Sequence, residues 1–142
     1  MTRTAKLETC QTRLAALWLG GSAVLFTLVL IQSLAGKYGE QTGAAWSWLM
    51  PAIIPTLSLI VGAVAYSAST AKHDVTVNRL AFRIAASLSL FYLLLLLATL
   101  LADPLIDWIT ALQLLELSKL WLGPVQGLVG LSLGAFFVSR ET

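Results

Sequence analysis

The side chains that could perform acid–base, nucleophilic or metal chemistry are few in this sequence. Its 142 residues include one histidine, His73, and one cysteine, Cys10. A structural metal site takes several His, Cys or carboxylate ligands, and a disulfide takes two cysteines. The long uncharged stretches contain no Asp, Glu, Lys, Arg or His, so a serine there has no general base and proton-coupled transport has no titrating group. We therefore expect a protein that is not an enzyme and takes no metal or cofactor.

The polar residues inside the uncharged stretches are an amide and scattered hydroxyls. Gln126 needs a hydrogen-bond partner if it lies in hydrocarbon, and three partners are open to it: another helix of the chain, its own copy in an oligomer, or water in a polar path. If the protein forms a pore, we expect the lining to include Gln126 and four serines, which are Ser58, Ser87, Ser89 and Ser132.

Glycines recur in the last uncharged stretch at Gly123, Gly127, Gly130 and Gly134. Offsets of four, three and four residues keep all of them on one helical face. Glycine costs about 1 kcal/mol relative to alanine inside a helix in water, so the row predicts a compensating close approach of another helix backbone. That helix can belong to the same chain, as packing in a bundle, or to another subunit.

Prolines interrupt two of the stretches and predict helix kinks at Pro51, Pro55 and Pro124. Pro55 lacks an N–H, so the carbonyl of Pro51 loses its normal helical donor. A hydroxyl of Thr56 or Ser58 can readjust the freed backbone locally. Freed carbonyls also coordinate cations in some channels, but the structural role is the default interpretation.

The composition places the chain in a membrane. Hydrophobic residues make up 58% of it and charged residues 11%, whereas a soluble domain carries about 25% charged residues. The formal net charge of +2 is too small to indicate a nucleic-acid partner. We expect the lipid bilayer to be the main partner, joined by a second copy of the chain or by another membrane protein.

Four gaps between charged residues match the length of a membrane span. They hold 23, 31, 19 and 20 residues, and a hydrocarbon core of about 30 Å needs about 20 helical residues. We predict a single membrane domain over residues 1–142, with a first span that could alternatively be a cleaved signal peptide. The predicted spans cover residues 14–34, 45–67, 84–101 and 120–138.

The basic residues indicate which way the spans run. Seven Lys or Arg fall in the N-terminal tail, the central loop and the C-terminal tail, and two fall in the other loops. This asymmetry predicts that both termini are cytoplasmic, in a prokaryotic inner (plasma) membrane. We expect Lys72, Arg79 and Arg83 in the central loop to contact lipid phosphates or a cytosolic partner.

These features predict an all-α, four-span antiparallel bundle. Asp103 followed by Pro104 is typical of a helix start, so we expect a short outer interfacial helix over residues 104–118, before the fourth span. Two functions fit this architecture. The chain self-associates through the glycine row into a passive pore or a membrane-perturbing effector, or it is a noncatalytic subunit or anchor that docks a partner through the glycine row or the basic loop.

Overall fold

The structure is a computed structural model that describes residues 4–69, 76–102 and 108–137. Four long helices dominate it, so the all-helical prediction is confirmed. A three-residue strand precedes each of the first and third helices, and a 3₁₀ turn at Gly39–Gln41 precedes the second. In chain order the elements are β1 (Thr4–Lys6), α1 (Leu7–Leu34), α2 (Thr42–Ser69), β2 (Thr76–Asn78), α3 (Arg79–Leu101) and α4 (Ala111–Phe137).

Three helices in the described part of the chain are long and apolar enough to cross a membrane. They are α1, the region Gly39–Ala65 that contains most of α2, and α3. These helices coincide with the first three predicted spans and begin up to seven residues earlier than the gaps between charges predicted. The fourth span, over residues 120–138, stays a prediction.

The fourth helix differs from the prediction in its continuity. We expected an interfacial helix over residues 104–118 and then a separate span, but one helix runs from Ala111 through Pro124 to Phe137. The expected start at Asp103 and Pro104 lies outside the described residues. A proline removes only one backbone donor, which is too little to end a helix that packs along its length.

A capping box explains why α4 begins where it does. The N–H of Thr110 donates to Oε1 of Gln113 at 3.0 Å, and the N–H of Gln113 donates to Oγ1 of Thr110 at 3.3 Å. This reciprocal pair satisfies two backbone donors that a helix start leaves free. The sequence contains this capping-box pattern, a Thr followed three residues later by Gln, directly before the apolar run.

A short strand pair holds the starts of α1 and α3 together. β1 and β2 are antiparallel, with Thr4 opposite Asn78 and Lys6 opposite Thr76. The side chain of Asn78 then caps α3 by accepting a hydrogen bond from the N–H of Leu80 at 2.8 Å. The starts of α1 and α3 both adjoin this strand pair, and their other ends are close together because Lys37 reaches Leu100, so the two helices run parallel.

The opposite end of α1 is joined to α3 by a lysine. Gly36 and Gly39 turn the chain with φ values of 77° and 56°, which glycine adopts without steric cost. Between them, Nζ of Lys37 donates to the carbonyl of Leu100 at 3.4 Å, at the end of α3. A cation at this position satisfies an exposed helix carbonyl and complements the helix dipole.

The contact between α1 and α3 forms much of the core. Trp18 and Tyr92 are both fully buried, and their ring centroids lie 5.9 Å apart. A Cβ added to Gly21 would lie 2.7 Å from Cδ1 of Leu93, whereas a Cβ added to Gly20 would meet nothing within 4 Å. Gly21 is therefore the described glycine that permits close helix contact within the chain.

Adjacent glycines in α1 provide a matched test of this packing. We expect Gly21→Val to destabilise the folded bundle by about 1–3 kcal/mol, because overfilling a packed contact displaces its neighbours. The control Gly20→Val adds the same side chain where space is open, so it should leave stability nearly unchanged. The measurement is the unfolding free energy of each purified variant in detergent micelles. Equal effects of the two substitutions would contradict the assigned contact.

Candidate functional site

Two consecutive carbonyls of α2 receive hydrogen bonds from two other helices. Nε2 of Gln126 in α4 donates to the carbonyl of Pro51 at 2.9 Å and lies 3.4 Å from the carbonyl of Ala52. The hydroxyl of Tyr92 in α3 donates to the carbonyl of Ala52 at 3.0 Å. We call these carbonyls, with Gln126 and Tyr92, the carbonyl node. It joins three helices in a region where no charged residue occurs.

Pro55 explains why the node forms at this turn of α2. Both Pro51 and Pro55 lie inside the helix, and a proline at position 55 cannot donate to the carbonyl four residues before it. The sequence predicts that this carbonyl is freed, and the structure supplies a donor to it from α4. Of the three partners open to Gln126, the structure therefore places it against another helix of the same chain.

A second buried hydrogen bond ties α2 to the start of α4. Nε1 of Trp48 donates to Oγ of Ser118 at 2.8 Å, and that hydroxyl donates to the carbonyl of Leu115 at 2.6 Å. Ser118 is fully buried and Trp48 nearly so. Since Trp48 and Pro51 lie one turn apart, α2 holds α4 at two successive levels.

The serines expected beside Gln126 do not come together around an opening. Ser58 of α2 and Ser87 of α3 are exposed, whereas Ser89 is fully buried. Ser132 uses its hydroxyl within α4, where it donates to the carbonyl of Val129 at 2.8 Å. These groups lie on different helices and in different environments, so the described chain by itself provides no common polar lining.

The glycine row of α4 has no other helix in close contact: Gly123 and Gly127 are exposed, and Gly130 and Gly134 are half-buried. A Cβ added at Gly123, Gly127, Gly130 or Gly134 would meet nothing within 4 Å. Of the two helices open to the glycine row, one in the same chain or one in another subunit, the described residues therefore provide none in close contact, and the role of the row stays a prediction. The buried residues on the other side of α4 fix the rotation of the helix about its axis. That rotation places the glycines away from close helix contact.

Helical geometry shows how Gln126 separates two faces of α4. At 100° per residue, the four glycines lie about 40–100° to one side of Gln126. The buried residues Leu122, Val129 and Leu133 lie to its other side. Beyond the glycines are leucines that are largely exposed, with Leu120 at 73% and Leu131 at 77%. We call the four glycines with Leu120 and Leu131 the glycine face.

The remaining predicted site residues are distributed over the ends of the bundle. Arg79 and Arg83 lie in the first turns of α3, and both are exposed. Lys72 lies outside the described residues. Cys10 is a buried free thiol in the first turn of α1.

A groove of about 920 Å³ opens at the other end, between the starts of α2 and α4. Its polar groups include the amides of Gln41 and Gln113 and the carboxylate of Glu116. That carboxylate is paired with Nζ of Lys119 at 2.8 Å. Over residues 4–69, 76–102 and 108–137 no three His, Cys, Asp or Glu residues gather as metal ligands would.

A double-mutant cycle tests the link between Gln126 and Pro55. Gln126→Met keeps the side-chain volume and removes the donor, so we expect a loss of about 0.6 kcal/mol and at most about 1.7 kcal/mol, the range for such bonds in membrane proteins. In a Pro55→Ala background the restored N–H of residue 55 can donate to Pro51, and the loss should shrink towards zero. The measurement is the unfolding free energy in micelles.

Tyr92→Phe provides the control for this cycle. It removes the donor to Ala52, whose own helical donor does not depend on residue 55, so its cost should be the same in both backgrounds. A Gln126→Met cost that does not change with Pro55→Ala would show that the amide does not compensate for the proline.

Comparison with known proteins identifies no family or relative for this chain. The chain matches no protein-family profile, no curated protein and no solved structure. A proposal for its function therefore rests on the contacts and exposed surfaces of its own residues.

Proposed function

We propose that this chain is a non-enzymatic membrane protein that assembles with further copies of itself through the glycine face of α4. The observation that carries the proposal is that four glycines recur on one face where an added Cβ would meet nothing within 4 Å. Glycine lowers helix stability, and in lipid its contribution is to let two helix backbones approach closely. A second helix on this face provides the contact that the chain's own helices do not.

Assembly through this face in lipid requires α4 to lie in the membrane beside α2 and α3. α4 is held to α2 at Ser118 and again at Gln126, two turns further along. If α2 crosses the bilayer, a helix bonded to it at both levels enters the bilayer with it. The stretch from Leu120 to Phe137 has no charged residue, which supports its role as the fourth span.

The proposed orientation puts both termini in the cytoplasm. Seven of the nine Lys and Arg residues fall on the side that holds the N-terminal tail, the loop before α3 and the C-terminal tail. The pairing of β1 with β2 supports a common side for the first two of these segments. Exposed Arg79 and Arg83 can then interact with lipid phosphates at that surface.

Conduction through such an assembly is the second candidate function. Ser58 and Ser87 are hydroxyls exposed on the apolar surface of the described bundle, where an oligomer could bring them together. Gln126 and Ser132 are already hydrogen bonded within the chain, which favours assembly over conduction as the leading proposal. The alternative partner is a different membrane protein that docks on the same face, with this chain as its anchor.

Leucine substitutions on the glycine face test the assembly. We expect Gly127→Leu with Gly130→Leu to convert the oligomer into monomer, because the larger side chains keep a second backbone away. Gly62→Leu is the matched control, since Gly62 of α2 is also exposed and also meets nothing within 4 Å. The oligomeric state is measured by native mass spectrometry from lipid nanodiscs, and folding by circular dichroism.

The outcomes separate the alternatives. A wild-type chain that stays monomeric in nanodiscs at high protein density would overturn self-association. Recovery of one defined partner from native membranes, lost in the Gly127→Leu, Gly130→Leu variant and kept in Gly62→Leu, would assign the face to an anchor role. If conduction is the function, wild-type protein in liposomes passes small ions and the same glycine variant does not.

Labelling from one side of the membrane tests the orientation. In a Cys10→Ser background we expect Gln113→Cys to react with an impermeant maleimide from the outside of intact cells. Thr76→Cys and a cysteine added after Thr142 should react only after the membrane is opened, because four spans return the chain to the cytoplasm. External reaction of the added cysteine would mean that α4 does not cross the bilayer.

A further inference from the structure

Two exposed arginines on neighbouring helices lie at nearly the same level of the bundle. Arg13 belongs to α1 and Arg83 to α3, and both helices begin at the end of the molecule where these arginines lie. Gly21 lies against Leu93, and the arginines precede these two residues by eight and ten positions. At a rise of 1.5 Å per residue, Arg13 and Arg83 differ in level by about 3 Å.

Helical rotation places both arginines on the same side of the contact between α1 and α3. Eight residues at 100° each turn Arg13 about 80° from Gly21, and ten residues turn Arg83 about 80° from Leu93 in the opposite sense. The two helices run parallel, and Gly21 and Leu93 face each other. Opposite rotations of about 80° therefore bring Arg13 and Arg83 to one side, which we call the arginine face.

Two observations support this placement. By the same rotation Trp18 and Tyr92 fall on the opposite side of the contact, and both are buried in the core, so the arginine face is the outer side. The positive charges of Arg13 and Arg79 both act on the thiol of Cys10. Arginines of α1 and of α3 thus lie near one point at the start of the bundle.

The helices that carry the arginine face supply little opposing negative charge. Residues 79–102 contain no Asp or Glu, and residues 7–34 contain only Glu8. Glu8 precedes Arg13 by five residues, which turns it about 140° around α1 from that arginine. The face is therefore complementary in charge to an anionic group.

Apolar residues continue the same face towards the middle of both helices. Val24 follows Arg13 by eleven residues, and Leu94 follows Arg83 by eleven residues. Eleven residues make about three helical turns, so each apolar residue lies in line with its arginine. Val24 and Leu94 are each about half exposed. Gly20, in line between Arg13 and Val24, leaves open space because a Cβ added there would meet nothing within 4 Å.

We propose that the arginine face is a binding site for an anionic phospholipid, with the phosphate held by Arg13 and Arg83 and an acyl chain along the apolar residues beyond them. Guanidinium groups bind phosphate oxygens through charge-assisted hydrogen bonds. Eleven helical residues span about 17 Å, close to half of a hydrocarbon core of about 30 Å. One leaflet, and so one acyl chain, matches that length.

The combination of a charged end and an apolar length distinguishes a phospholipid from other anions. Inorganic phosphate complements the arginines and leaves the apolar part of the face uncovered, whereas a lipid complements both parts. A zwitterionic lipid carries its own cation, which opposes the attraction of two arginines. The site rests on the proposed function in one respect, that the chain lies in a membrane, and does not depend on the glycine face.

Native mass spectrometry tests the site with protein released from nanodiscs that contain equal amounts of phosphatidylglycerol and phosphatidylcholine. We expect wild-type protein to retain phosphatidylglycerol in preference. Arg13→Gln and Arg83→Gln should each lower that preference about fivefold, the factor for one cation beside anionic lipid. Lys119→Gln is the matched control, because it removes one exposed cation at the other end of the bundle. It should leave the preference unchanged, and circular dichroism checks the fold of each variant.

Four results would overturn the site. Equal retention of the two lipids by wild-type protein would show no selectivity for an anion. Equal effects of Arg83→Gln and Lys119→Gln would show a response to total charge alone. Displacement of the lipid by inorganic phosphate would show that the acyl chain has no part in binding. Recovery from native membranes of an acidic protein in place of the lipid, released by Arg83→Gln, would assign the face to a protein.

The glycine variant separates this site from self-association. Gly127→Leu with Gly130→Leu alters α4 and leaves the arginine face intact, so we expect that variant to retain phosphatidylglycerol as wild-type protein does. A chain that proves monomeric and still retains the lipid would contradict the assembly and support the site.

Discussion

The constraint on which this bundle depends is that hydrocarbon supplies no hydrogen bonds to a polar group. Pro55 breaks the backbone ladder of α2 and exposes the carbonyl of Pro51, and lipid cannot satisfy it. Gln126 satisfies that carbonyl from α4, and Tyr92 adds a bond from α3 to the next carbonyl. A local defect in one helix thereby becomes the position at which three helices are joined.

The same bond decides which surface of α4 is left open. Gln126 is held against α2, so the residues on one side of it enter the core and those on the other side turn away. Trp48 and Ser118 repeat the constraint nearer the start of the helix. The position of the glycines, exposed or half-buried, is a consequence of where the polar side chains find their hydrogen-bond partners. Core packing and the proposed association surface are thus two results of one rotation of α4.

Much of the helical architecture follows from the charge pattern, because only long uncharged stretches can be hidden by lipid. The predicted role of Pro55 also follows from the sequence, since a missing N–H has a local and fixed consequence. Rotation about a helix axis does not follow, because it depends on every contact at once. That is why the row of four glycines in α4 does not by itself identify the helix that packs against it, while the close approach within the described chain is at Gly21 in α1.

Short sequence motifs can mark where a helix starts. Thr110 and Gln113 form a full capping box and mark the start of α4, whereas Asp103 and Pro104 indicated a helix start that lies outside the described residues. The pairing of Thr4–Lys6 with Thr76–Asn78 has no such signal. Each segment is only three residues long, and a register between distant segments comes from the helices that bring them together.

The arrangement of small and large residues on the glycine face bears on what kind of partner fits it. A row of glycines makes a shallow groove along α4, and Leu120 and Leu131 stand beside it as an exposed ridge. A surface that carries a groove and an adjacent ridge is complementary to itself under a two-fold rotation, because the ridge of each copy enters the groove of the other. A surface of glycines alone would accept many helices equally well. The paired leucines therefore favour a second copy of this chain over an arbitrary partner.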